Sequence, residues 1–226
     1  MHGIASAEDR NAVSLPPRLF PLTLRIGFWI CIVIAVAVVL RRLLALAFPP
    51  QNPPPQMAGL DAGFASHAAL TIAHVVPALL FVLLLPLTWI PRLAATVWLH
   101  RLLFGLGALV GCTAYAMSFF PVGGWIEVSA VLFFNTLFLY SLARAWRAMR
   151  RCRLAEKQEW MTRAVAILLG IATTRPVMGV FFATSMLTHL RPQQFFGLAF
   201  WVGFSINAVA IEVWLRRRRR NADPAV

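Results

Sequence analysis

The sequence predicts an all-α fold, a polytopic membrane protein built as a bundle of six transmembrane helices with both termini cytoplasmic. Three observations predict it. Of 226 residues, 60% are hydrophobic and only 13% charged, about half the charged share of a soluble domain. Six apolar stretches reach the roughly 20 residues that a helix needs to cross the hydrocarbon. The net charge of +13 is then distributed very unequally between the two sides of a six-span arrangement. Composition excludes a soluble globular protein, and so much hydrophobicity excludes a disordered chain.

The spans fall near Leu22–Phe48, Ser66–Ile90, Leu99–Phe120, Gly124–Trp146, Thr162–Met186 and Phe195–Leu215. Each is a continuous apolar run rather than an alternating one, which argues against a strand barrel. The expected connections are short and turn-like, at Pro49, Pro50 and Pro53–Pro55, at Pro91-Arg92, at Pro121 with Gly123-Gly124, and at Arg191-Pro192. The expected organisation is a cytoplasmic segment 1–21, one transmembrane domain 22–215 and a basic tail 216–226.

Seventeen of the 21 Lys and Arg residues lie on one side: Arg10, Arg18, Arg25, Arg92, Arg101, the run from Arg144 to Arg163, and Arg216–Arg220. The other side carries Arg41, Arg42 and Arg191, and Arg175 lies within a span. Cytoplasmic loops retain cations, so this bias predicts both termini inside and a multi-pass protein of the inner membrane. The basic clusters directly follow spans, which favours the lipid bilayer and anionic headgroups as partners over nucleic acid. Trp146, Trp160 and Trp214 fall at the same boundary, as an aromatic belt requires. Ala45-Leu46-Ala47 has the small-x-small look of a cleavage site, but Arg41 and Arg42 interrupt the approach to it, and an uncleaved first span is expected. Cys31, Cys112 and Cys152 form no CxxC pair and no even framework.

Ionisable groups in hydrocarbon are costly, so each is a candidate functional residue. His74 lies roughly 12 Å and Arg175 roughly 16 Å from the outer ends of their spans, with Asn135 at a similar level. Three helices thus offer polar groups to one layer of the outer half. His67, Thr71 and His74, spaced i, i+4, i+7, share one helix face. Pro77 and Pro176 each remove a backbone hydrogen bond next to these groups, a pattern that can line a cavity. The simpler alternative is that neighbouring carbonyls and Asn135 hold Arg175. Toward the inner face, Glu212 is expected to pair with Arg101 or Arg163; toward the outer face, Glu127 with Arg41 or Arg42. Gly107 and Gly111 form GxxxG, expected to serve packing inside the bundle.

Trp160-Met161-x-Arg163 with Arg175 fifteen residues after the Trp, Asn207 with Glu212 five residues on, His74 with Pro86, and the pair His100-Arg101 together carry a resemblance. The chain resembles a family of predicted bacterial membrane proteins, domain of unknown function 2306 (DUF2306), from about His67 to Trp214. Two positions depart from that pattern: Phe104 stands where a Gly is usual, and Lys157 where a further His commonly precedes the Trp-Met pair. The resemblance implies the class, the topology and a set of residues, without a reaction.

No HExxH, GxSxG or Gly-rich phosphate cradle is present, which favours a non-enzymatic protein with no cofactor. The leading expectation is that His74, Asn135 and Arg175 bind or help transport a small or lipid-derived ligand, Arg175 supplying the anion partner. One alternative is a b-type haem held by His67 or His74 with His189. Another is a structural or partner-binding membrane subunit.

Overall fold

A computed structural model describes residues 20–49, 55–94, 96–188 and 192–222. These residues form helices and no strand. In chain order the helices are α1 (Leu22–Ala47), α2 (Pro55–Ser66), α3 (Ala68–Leu84), α4 (Pro91–Ala94), α5 (Val97–Met117), α6 (Gly124–Arg150), α7 (Leu154–Thr188) and α8 (Pro192–Ala222), with a 3-10 turn at Leu85–Trp89 between α3 and α4. Six of them are long and apolar enough to cross a membrane: α1, α3 with its 3-10 turn, α5, α6, α7 and α8. Their outward faces carry bare apolar side chains such as Val33, Trp98, Val180 and Val209. In water such a surface would drive association; facing acyl chains it is the expected one.

Local chemistry sets the helix ends. Pro49 follows α1 and cannot continue it. At the start of α6, Gly124 takes φ +64°, a conformation that favours glycine. Glu127 in the first turn then accepts the backbone N–H groups of Val122 and Gly123 at 2.8 and 2.5 Å, occupying donors that the helix leaves unpaired. The expected pairing of Glu127 with Arg41 or Arg42 is not formed, because both arginines bind Asp61.

Three departures from expectation concern element ends. The segment after Pro53–Pro55 is not a turn but the helix α2, whose Asp61 reaches back to α1. Helix α7 starts at Leu154, eight residues before the apolar run, because Glu156 and Glu159 find cationic partners in Arg144 and Arg219. Helix α8 continues through the basic segment to Ala222.

The bundle core has two parts. Helices α5 to α8 share a cluster that includes Phe104, Phe134, Phe138, Leu142, Ile167 and Phe200. Within it Phe134 lies 5.2 Å from Phe204 and 5.4 Å from Trp201, centroid to centroid, spacings that favour stacked and edge contacts. The second cluster joins α1, α3, α5 and α7 through Ile32, Phe81, Leu99, Leu103, Val165 and Leu169. Small residues permit the close helix approaches. A Cβ at Gly203 would lie 2.7 Å from the Thr174 backbone N, and one at Gly107 2.9 Å from Leu142 Cδ2. Gly107 and Gly111 thus face Leu142 and Leu139 of α6, so the GxxxG serves packing inside the bundle.

Ile32 is the buried residue of α1, which leans on the rest of the bundle over a narrow strip. The two ends of the bundle differ chemically. At the basic end Arg163 joins Glu212 at 2.9 Å, Arg219 joins Glu159, and Phe20 stacks on Trp214. At the opposite end stand the Arg41–Asp61–Arg42 cluster, the His67–Phe120 ring stack and the Glu127 cap.

Candidate functional site

Near the end opposite the basic one, α1, α2, α3, α5, α6, α7 and α8 line a cavity of about 240 Å³. His74, Asn135 and Arg175 all line it, so three residues from three helices converge on one space. His67 and Thr71 line it with His74, although His67 sits in the turn before α3 rather than within the helix. The remaining wall is mostly apolar, from residues such as Val38, Val75, Phe138 and Phe200.

Each polar group has its own setting. His74 Nδ1 lies 3.0 Å from Thr113 Oγ1, and that hydroxyl donates to the Leu109 carbonyl at 2.7 Å. With the threonine proton committed, His74 carries its hydrogen on Nδ1 and donates to Thr113, which leaves Nε2 as an acceptor. Asn135 is buried and its amide nitrogen donates to the Gly111 carbonyl at 2.9 Å, so it ties α6 to α5 rather than holding Arg175. Arg175 Nη1 lies 3.9 Å from Met178 Sδ, a weak acceptor. Its Nε is buried and has no hydrogen-bond partner among the described residues.

Two residues that sequence reasoning set toward the outer face, apart from the His74–Asn135–Arg175 cluster, also line this space: Arg42 and Glu127. Arg42 reaches in beneath the Phe64 ring, 3.9 Å from its centroid, while binding Asp61. The doublet Arg41-Arg42 at the end of an apolar run was the available signal. The partner Asp61 lies in a short segment of small and apolar residues without helical periodicity strong enough to reveal α2.

The family-pattern residues divide between the two ends. His74 and Arg175 line the cavity just described. His100 and Arg101 line a second, larger one of about 1200 Å³ at the basic end, together with Lys157 and Asn207. Lys157 Nζ lies 3.1 Å from His100 Nε2, so this departure from the family pattern falls on the residue that touches His100. Trp160 is flanked by the guanidinium groups of Arg144 and Arg163, 4.7 and 4.6 Å from its ring. Glu212 pairs with Arg163 and Arg216 rather than Arg101. Asn207 accepts from Thr173 at 2.9 Å and donates to the Ala166 carbonyl at 3.2 Å, pinning α8 to α7.

Of the histidines weighed as haem ligands, His67 stacks on Phe120 with its Nδ1 3.0 Å from Ser66 Oγ. His74 Nδ1 is engaged by Thr113, and His189 lies outside the described residues. Among the described residues no group of three or more His, Cys, Asp or Glu is clustered to hold a metal ion.

Comparison with known proteins agrees with a membrane protein. No curated protein and no solved structure matches the chain. Residues 71–215, from Thr71 in α3 to Leu215 in α8, match the family described as "Predicted membrane protein (DUF2306)". That stretch contains every family-pattern residue discussed above, and the chain belongs to this family of predicted membrane proteins.

Proposed function

We propose that the cavity lined by His74, Asn135 and Arg175 binds a small or lipid-derived ligand carrying an anionic group. One observation carries the reading: Arg175 is a guanidinium within a span that lines a cavity, and its Nε has no hydrogen-bond partner among the described residues. An unneutralised cation in hydrocarbon costs about 2.5–3.5 kcal/mol on insertion scales, and such groups mark ligand and ion paths. An anion entering the cavity would recover that cost by charge-assisted hydrogen bonds. His74 Nε2 would accept from a donor on the same ligand. At about 240 Å³ the space is smaller than the roughly 300–1,000 Å³ of drug-sized sites, which favours a compact amphiphile. Binding is the primary reading, and transport would use the same site.

We infer further that the basic end faces the cytoplasm of the inner membrane, by the cation bias. The exposed thiol of Cys152, between α6 and α7, would then react with a membrane-impermeant maleimide in inverted vesicles and be protected in right-side-out ones. The Cys112→Ala background isolates that signal.

The binding test is thermal unfolding of the protein in lipid nanodiscs with octanoate, and with octanol as the uncharged control. Octanoate should stabilise the wild type by about 2.7 kcal/mol at a hundred times its Kd, and octanol should stabilise it less. Arg175→Gln should abolish the difference and Arg175→Lys should reduce it. Equal effects of octanol and octanoate on the wild type, or undiminished octanoate protection in Arg175→Gln, would leave Arg175 as a scaffold residue in a structural subunit.

A further inference from the structure

The larger cavity at the basic end has no part in the reading above, and its construction points to a different ligand. It lies between α1 and the rest of the bundle. Ile32 packs into the second core cluster, and below it Phe20 stacks on Trp214 with centroids 4.6 Å apart. Between them Phe28 lies 5.0 Å from Trp89 and Cys31 Sγ 3.6 Å from Thr173 Oγ1, and residues of α1, α5, α7 and α8 line about 1200 Å³ of space. That exceeds the roughly 1,000 Å³ upper range of drug-sized pockets. Trp29 and Ile30 line the space and are 49% and 53% exposed, so the cavity is continuous with the surface against which acyl chains lie.

The lining combines two chemistries. One part is apolar, with Phe28, Trp29, Trp89, Leu103, Val165 and Ile211. The other part carries Arg25, His100, Arg101, Arg150 and Lys157 and contains no Asp or Glu. The carboxylates of this end are engaged elsewhere: Glu156 with Arg144 and Arg153, Glu159 with Arg163 and Arg219, and Glu212 with Arg163 and Arg216. Three arginines and Lys157 therefore border an apolar space with no acid in its wall. Such a border matches an amphiphile with an anionic head, since charge-assisted contacts form at the head while the tail removes apolar surface from contact with polar groups.

We propose that this cavity is a binding site for one anionic phospholipid, its phosphate among Arg101, Arg150 and Lys157 and an acyl chain along α1. The site differs from a general headgroup belt in that the lipid enters behind α1 rather than lying against the outer surface. Gly27 supplies a clean means of blocking it. It lines the cavity, and a Cβ built there meets nothing within 4 Å. A large side chain at this position enters the void without displacing a packed neighbour.

The experiment uses full-length protein, delipidated in detergent and reconstituted in vesicles of phosphatidylcholine containing one-fifth phosphatidylglycerol. Lipids retained after re-extraction are counted by native mass spectrometry. The wild type should retain one phosphatidylglycerol in preference to phosphatidylcholine. Lys157→Gln and Arg101→Gln should each weaken retention about fivefold, the effect of removing one cation near a lipid headgroup. Gly27→Trp should abolish retention, and Arg147→Gln, an exposed cation outside the cavity, should leave it unchanged. Three results would overturn the proposal. One is equal retention of the two lipids, and another is unaltered retention in both Lys157→Gln and Gly27→Trp. The third is complete displacement by inorganic phosphate at matched concentration, which would identify a soluble anion as the ligand.

Discussion

Asp61 and Arg42 are joined carboxylate to guanidinium at 2.6 Å across 19 residues of chain. Arg41 holds the other oxygen of the same carboxylate at 2.9 Å. One acid of α2 thus fastens the end of α1, where that helix has few buried contacts. The Arg42 and Asp61 side chains are 11% and 12% exposed, so solvent screens the pair only weakly.

The first prediction concerns acid. Burial pushes the Asp61 carboxyl up, but hydrogen bonds and charge from Arg41 and Arg42 outweigh it and hold its pKa below the ordinary 3.8. As pH falls, the unfolded chain takes up this proton before the folded one does. The contribution is therefore complete above the ordinary value and is lost as pH drops through the folded pKa. Asp61→Asn should cost about 1–2 kcal/mol at pH 7, less than a fully buried pair because Arg41 is partly solvated. Unfolding measured at pH 5 and at pH 3 should show the wild type losing more stability than Asp61→Asn. Equal acid sensitivity in the two proteins would discard the clamp.

The second prediction lies in the turn after α6. Cys152 adopts φ 55°, its N–H bonds to the Met149 carbonyl at 3.1 Å, and the Arg153 N–H bonds to the Ala148 carbonyl at 2.9 Å. This is the paired C-terminal closure in which a left-handed residue, most often glycine, ends the helix. A side chain in that conformation costs about 1–2 kcal/mol. Cys152→Gly should raise stability by about 1 kcal/mol after the greater flexibility of unfolded glycine is counted. Cys152→Val, β-branched, should lower it. A rise in thermal midpoint for valine, or a fall for glycine, would contradict the geometry.

Length and hydropathy made six spans legible, because a crossing helix must be long and apolar wherever it sits in the chain. The same rule made His74 and Arg175 stand out, since ionisable residues within spans are rare, and depth counting put them in one layer. What could not be read were features created by tertiary contact. Helix α7 starts two turns before its apolar run because Glu156 and Glu159 meet arginines from α6 and α8, partners 12 and 60 residues away. Helix α2 has too little apolar periodicity to announce itself, and its Asp61 took the arginines expected for Glu127. The space behind α1 is a void between helices. No residue pattern encodes a void, and only the spatial arrangement brings His100, Lys157 and Asn207 to its wall.

The third prediction separates a ligand site from a structural cation by the sign of a stability change. If Arg175 were a structural tie, removing its charge would leave partners unsatisfied and the protein would weaken, as when one member of a buried pair is deleted. Its guanidinium instead meets the sulfur of Met178 at 3.9 Å, with Nε buried and unbonded among the described residues. Substitution by an apolar side chain of similar length removes the burden of the buried charge and keeps the packing. Arg175→Met should therefore raise ligand-free stability by about 2 kcal/mol, most of the insertion cost of an arginine at mid-span. The same variant should no longer be protected by octanoate. Residues built for binding commonly trade stability in this way. The measurement is unfolding in nanodiscs with and without octanoate for wild type, Arg175→Met and Arg175→Lys. A destabilised Arg175→Met that still responds to octanoate would place the arginine among the residues that hold the bundle together and remove it from the site.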